Sequence, residues 1–314
     1  MLDYLFLAAG LVCLIIGGDI LVRGSVGLAE KLNIPPMIIG LTIVAFGTSA
    51  PELFISVKAA LDNASGIAIG NVVGSNIANV LLVMGLPALI APMVCDEKNI
   101  LRNIIVMLGM TVVFMMMMGI DGTISRLDGV ILLGLLGAFL LDQYRASQKT
   151  GSEAVHDYHE EIESVPANGL VIAALIAGGL IALPFGADLT VDSAVSIAQK
   201  WHVSDDVIGL TIVALGTSLP ELATSLMAAI RRNGDIALGN VVGSNIFNIG
   251  SIMGIAAIIS PMQASAKIIS TDMWVMLACA LIVAALAHWK VKIGKRVGVT
   301  MTLLYLVYVA LAFT

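Results

Sequence analysis

Long apolar runs follow one another along this chain with only short polar interruptions, and that pattern constrains its fold more than any motif does. Ten runs lie near residues 5–28, 36–61, 69–92, 101–119, 127–145, 168–199, 206–230, 238–260, 272–289 and 298–313. Most are long enough to cross about 30 Å of hydrocarbon at ~1.5 Å per helical residue. Lipid cannot satisfy the backbone of an open strand, so such segments read as helices. Composition agrees: 314 residues that are 59% hydrophobic and 12% charged, with a mean hydropathy of +1.00, cannot be covered by one soluble surface. The expected class is an all-α polytopic membrane protein of ten transmembrane helices, with the lipid bilayer as its solvent.

The opening "MLDYLFLAAG" carries Asp3 and no basic flank, and no small-residue cleavage pattern closes the first run, so it reads as a retained span. Cys13, Cys95 and Cys279 are scattered singly, without the spacing of a metal site or a disulfide framework. A net charge of -6 carried by so few charges says little about partners, and no nucleic-acid partner is expected. No resident cofactor and no obligate protein partner are expected.

The chain also repeats itself. At an offset of 169 residues, "GLTIVAFGTSAPELFISV" aligns with "GLTIVALGTSLPELATSL" and "GNVVGSNIAN" with "GNVVGSNIFN". Without any gap, 26 of the 44 positions from Gly40 to Val83 match, and Asp19 falls on Asp188, Lys31 on Lys200 and Pro92 on Pro261. The duplication therefore covers a whole half of the chain. Five spans per half is an odd number, so the second copy enters the membrane from the opposite side. Two inverted five-helix repeats follow, 1–145 and 168–314, related by a pseudo-two-fold axis in the membrane plane.

Between them, 146–167 is a polar linker. With the N-terminus outside, twelve of the sixteen Lys and Arg fall in inside loops and four outside. The positive-inside rule then places the linker in the cytoplasm and both termini on the non-cytoplasmic side of the cell membrane. His156, Asp157, His159, Glu160 and Glu161 make this linker a remote candidate for a cation or proton sensor.

Glu52 and Glu221 alone among the acids sit deep in apolar runs, at matched positions. An acid at mid-membrane costs ~2.5–3.5 kcal/mol even on the lenient insertion scale, so a matched pair points to function. Pro51 and Pro220, with Gly47 and Gly216 just before them, break each helix there. A break would free backbone carbonyls such as those of Ala45 and Ala214, while Thr48, Ser49 and Glu52 project from the second half of the broken span on one face. Asn71, Ser75 and Asn79 line one stripe of the third span, and Asn240, Ser244 and Asn248 line one stripe of the eighth. Small residues around them allow close helix approach, and Ser75, Asn79, Ser244 and Asn248 are read as coordinating oxygens at the repeat interface.

Two carboxylates with hydroxyl, amide and carbonyl oxygens, and no sulfur or imidazole, suit calcium and sodium over transition metals. Two negative charges balance one calcium ion or two sodium ions, and a third sodium ion would leave one positive charge in excess. Cargoes needing the same carboxylates compete, and competition at one midplane site turns alternating access into exchange.

These repeated "GTS-x-PE" and "GN-x-x-GSN" motifs resemble those of the sodium/calcium exchanger family, within the calcium:cation antiporter superfamily. The resemblance implies a ten-span inverted repeat in which the second, third, seventh and eighth spans hold the cations while the first and sixth slide across that bundle. It also implies a ligand set: Thr48, Ser49, Glu52, Ser75 and Asn79, with Thr217, Ser218, Glu221, Ser244 and Asn248, plus the carbonyls of Ala45 and Ala214. Some relatives, potassium-dependent ones included, carry Asp where this chain has Asn79 or Asn248. Ion stoichiometry and potassium use are therefore open, and a calcium/proton antiporter is the alternative. A cation channel is the further rival, although channels usually assemble a filter from several subunits. An intramembrane enzyme would give no reason for a whole-chain inverted repeat.

Two other features read as structural. "FMMMMG" at Phe114 to Gly119 is adaptable packing. Asp19 and Arg23, one helical turn apart, are expected to form an interfacial ion pair.

Overall fold

The computed structural model describes residues 2–93, 100–149, 166, 168–202 and 214–312. The first half runs through α1 (Leu2–Leu32), the bent pair α2 (Pro36–Thr48) and α3 (Ala50–Leu61), α4 (Ser65–Ile90), α5 (Ile100–Asp121) and α6 (Arg126–Lys149). The second half contains α7 (Gly169–Lys200), the short α8 (Ala214–Gly216), α9 (Leu219–Ile230), α10 (Gly234–Ile259), α11 (Ile268–His288) and α12 (Lys295–Ala312). Strand β1 (Thr123–Ile124) pairs antiparallel with β2 (Met262–Gln263).

Among the described residues, seven helices are long and apolar enough to cross a membrane, and the bent pair α2–α3 makes an eighth. Of the remaining expected spans, the seventh is represented by α8 and α9, because residues 203–213 lie outside the described ones; the tenth corresponds to α12. Nearly all of the 146–167 linker, with its histidines and acids, also lies outside the described residues.

Backbone geometry repeats at the sequence offset. Helices α3 and α9 share their bounds after a shift of 169, as do α4 and α10. Left-handed residues recur as Asn33 and His202, with φ 54° and 60°, and as Asn63 and Arg232, with φ 56° and 58°. Ile124 pairs with Met262, and the shifted counterpart of that pair is an isolated bridge between Met93 and Ile293. Packing follows the same rule, with α6 lying on α10 and α12 on α4.

Helices α4 and α10 form the centre, with 78% and 83% of their spanning windows buried; α1 and α7 lie outside them, with only 33% and 28% buried. The outer surface is apolar: Phe6, Phe54, Leu170 and Ile181 are among its exposed side chains, as lipid contact requires.

Helix α1 packs antiparallel on α7 along a seam of small residues. Gly10, Gly17 and Gly24 face Gly186 and Thr190, then Leu183, then Ile176, and a Cβ on any of the three would meet neighbouring atoms at 2.5–3.1 Å. At one end of the seam Lys200 pairs with Asp3, while Lys31 lies against Gly169 at the other. An antiparallel first and sixth helix is what an inverted repeat demands. Three ion pairs join separate helices: Lys200 with Asp3, Arg102 with Asp142 and Arg231 with Asp19.

Candidate ion-binding site

The helix breaks at both "GTS-x-PE" copies. Helix α2 stops at Thr48, Ser49 takes φ -83° and ψ 9°, and α3 begins with Pro51 in its first turn, bent 45° from α2. Ser218 repeats this with φ -86° and ψ 4° before Pro220 opens α9. A proline costs nothing in a first turn, where its missing N–H would have no partner, but it cannot continue the helix behind it. Glu52 and Glu221 thereby land in the first turns of α3 and α9, where the positive helix end favours an anion.

Both carboxylates are fully buried. Across the repeat interface, the Ser49 hydroxyl donates to Glu221 Oε1 at 3.0 Å and the Thr48 hydroxyl donates to Asn240 Oδ1 at 3.1 Å. Around them, α3 packs against the turn that begins at Asn248, and α9 against the turn that begins at Asn79.

Those two turns are π-helical, over Asn79–Val83 in α4 and Asn248–Met253 in α10. Single π turns inside α-helices often mark functional sites, since the extra residue re-aims side chains and carbonyls. Nothing in the sequence pattern announced them.

Asn71 and Asn240 do a different job from the rest of their stripe. Asn71 Nδ2 donates to the Glu52 carbonyl at 3.2 Å and to Ser56 Oγ at 2.9 Å. Asn240 Nδ2 donates to the Glu221 carbonyl at 3.2 Å and to Ser225 Oγ at 3.1 Å. Each amide pins the backbone of its glutamate, so they are scaffold for the carboxylates. Ser56 and Ser225, which complete those clamps, were missed by sequence reasoning although they too recur at the offset.

Several buried polar atoms from both halves have no hydrogen-bond partner: Glu52 Oε2, Glu221 Oε2, Ser218 Oγ, Ser244 Oγ, Asn248 Oδ1 and both amide atoms of Asn79. An unsatisfied buried polar group costs about 1–3 kcal/mol, more when charged. Six of these seven atoms are oxygens, the donor type that hard cations select. Ser75 is buried beside them, and Thr217 is half-buried. The Ala45 carbonyl is not freed outright by the break, because it accepts from the Ser49 N–H at 3.1 Å and from the Thr48 hydroxyl at 3.4 Å. A cation there would share an already engaged oxygen. In the second copy Ser218 N donates to Leu215, one residue beyond Ala214. Among the described residues no three His, Cys, Asp or Glu come together, so any cation here relies on two carboxylates and neutral oxygens.

The family model described as sodium/calcium exchanger protein matches residues 2–145 and 171–314. The chain belongs to the sodium/calcium exchanger family. Relatives span the same length. The uncharacterized membrane protein MJ0091 of Methanocaldococcus jannaschii is 40% identical over 301 residues, covering 96% of this chain and 95% of its own. The sodium/calcium exchanger MaX1 of Methanosarcina acetivorans is 33% identical over 347 residues, covering 99% and 98%. The solved sodium-calcium exchanger NCX_Mj, soaked with sodium and strontium, superposes with a TM-score of 0.85 at 37% identity, over 98% of each chain. This sodium/calcium exchanger family member is thus a helical membrane protein of the NCX_Mj fold.

The ion pair expected between Asp19 and Arg23 is not the one formed. Asp19 pairs with Arg231, 212 residues away at the end of α9. Sequence proximity favoured Arg23, but the packing of α1 against α9 delivers Arg231 to the carboxylate.

Proposed function

We propose that this protein exchanges calcium for sodium across the membrane by alternating access at the interface between its repeats. The observation that carries this reading is the set of buried, unpartnered oxygens gathered from both halves around Glu52 and Glu221. Thr48, Ser49, Ser75, Asn79 and the Ala45 carbonyl from one repeat, with Thr217, Ser218, Ser244, Asn248 and the Ala214 carbonyl from the other, complete the ligand set. Calcium and sodium draw on the same two carboxylates, so each displaces the other. The outer pair α1 and α7, packed on the bundle through glycines, is the element that moves past the site. Both termini lie outside the cell and the linker inside.

Purified protein in sodium-loaded liposomes should take up labelled calcium when diluted into sodium-free medium. Equal uptake with choline inside would refute sodium coupling. Uptake driven only by a pH gradient would establish proton antiport in its place, and a requirement for potassium beside sodium would place the chain with potassium-dependent exchangers.

A further inference from the structure

The motif "GNVVGSN" ends, in each copy, on an asparagine that the proposed ligand set does not use: Asn76 and Asn245. Both are buried in the protein interior. Asn248 Nδ2 donates to Asn76 Oδ1 at 2.9 Å, across the interface between repeats. That bond consumes the hydrogen-bearing end of the Asn248 amide and leaves Asn248 Oδ1 as its unpartnered atom. Asn76 is itself held, since its Nδ2 lies 3.5 Å from the Asn245 carbonyl and 3.7 Å from Met276 Sδ, donating to both. Its donor end is thereby spent on α10 and α11, and only its oxygen can face Asn248.

We propose that Asn76 is a positioning residue that fixes the amide of Asn248 with its oxygen, not its nitrogen, turned to the cation. An asparagine is nearly symmetric in shape but opposite in polarity at its two ends. Free to turn, it would present N–H groups to the ion part of the time and repel it. Outer partners of this kind typically change metal affinity by about 10–100-fold.

The two halves differ here. The repeat counterpart of this contact would be Asn79 Nδ2 donating to Asn245 Oδ1, and both of those atoms are unpartnered. Asn245 Nδ2 donates to Met107 Sδ at 3.5 Å, the repeat counterpart of the Asn76–Met276 bond, so the halves differ at the amide oxygen. One half-site has its amide oriented in advance, and the other does not. Asn76 and Asn245 are equally buried and equivalent by sequence, so a purely structural role would make them equally sensitive.

The inference rests on Asn248 being an ion ligand, and the test separates the two. The calcium concentration for half-maximal sodium-driven uptake is measured for Asn76→Ala, Asn248→Ala, the double variant and Asn245→Ala. Asn76→Leu serves as a second variant that removes the acceptor without opening a cavity. Calcium-dependent shifts in melting temperature report affinity for any variant that folds but transports poorly. Asn76→Ala and Asn248→Ala should each raise that concentration about tenfold, the double variant no further, and Asn245→Ala should leave it near wild type. Additive effects of Asn76→Ala and Asn248→Ala, equal effects at Asn76 and Asn245, or a loss at Asn248 with none at Asn76 would overturn the positioning role. No change in Asn248→Ala would remove Asn248 from the ligand set itself.

Discussion

Asp19, midway along α1, is paired with Arg231 at the end of α9, a link between the outer helix pair and the helices that carry Glu52 and Glu221. Both side chains are largely shielded, so breaking the pair strands a charge in a poorly solvated place. Asp19→Asn should cost about 1–3 kcal/mol, read as a lower melting temperature in detergent. Exchanging the charges, Asp19→Arg with Arg231→Asp, should recover part of that loss. An equal loss in the exchanged double variant would mean that the pairing contributes nothing of its own. The repeat offset puts Asp62 where Arg231 would recur and Asp188 where Asp19 would, so the opposite face has no equivalent latch.

Gly243 sits where α10 crosses α2. A Cβ there would lie 2.6 Å from the Leu41 carbonyl oxygen and 2.6 Å from Ala45 Cβ. Backbone cannot yield as a flexible side chain can, so Gly243→Ala should destabilise by about 1–3 kcal/mol and shift the broken helix that carries Thr48. Gly137→Ala, at an exposed position on α6 with no neighbour within 4 Å of the new methyl, should be neutral or slightly stabilising. Matched melting curves for the two variants test this, and equal stability would refute the tight crossing.

Much of this was legible in the sequence, because lipid leaves few alternatives. Apolar length located the helices, and the offset of 169 showed that they came in two copies. Proline after glycine located the breaks that the structure places at Ser49 and Ser218. Glu52 and Glu221 stood out because an acid in hydrocarbon needs a reason. What stayed hidden depends on packing. The π turns at Asn79 and Asn248 are backbone choices made against neighbouring helices. The Asn71 and Asn76 side chains belong to the same motif as Ser75, yet which of them clamps backbone and which orients another amide is decided by what lies opposite. Arg231 is remote from Asp19 in sequence, and only the packing of α1 against α9 brings it close.

Orientation follows from charge placement alone, so it calls for a direct check. A single cysteine replacing Ser152, in a protein whose own three cysteines have been removed, should react in intact cells only with membrane-permeant reagents. Labelling by an impermeant reagent from outside would invert the topology.

The central claim is that one site, shared by both repeats, carries the cargo on two carboxylates. Glu221→Gln keeps the size of the side chain and the possibility of a bond from Ser49, but leaves a divalent ion facing a single negative charge where water cannot easily compensate. The decisive measurement is sodium-driven uptake of labelled calcium by reconstituted Glu221→Gln, beside wild type and with folding confirmed by the melting curve. Uptake should fall to the level of empty liposomes. A well-folded Glu221→Gln that exchanges calcium at the wild-type rate would contradict the account and place the cargo elsewhere in the molecule.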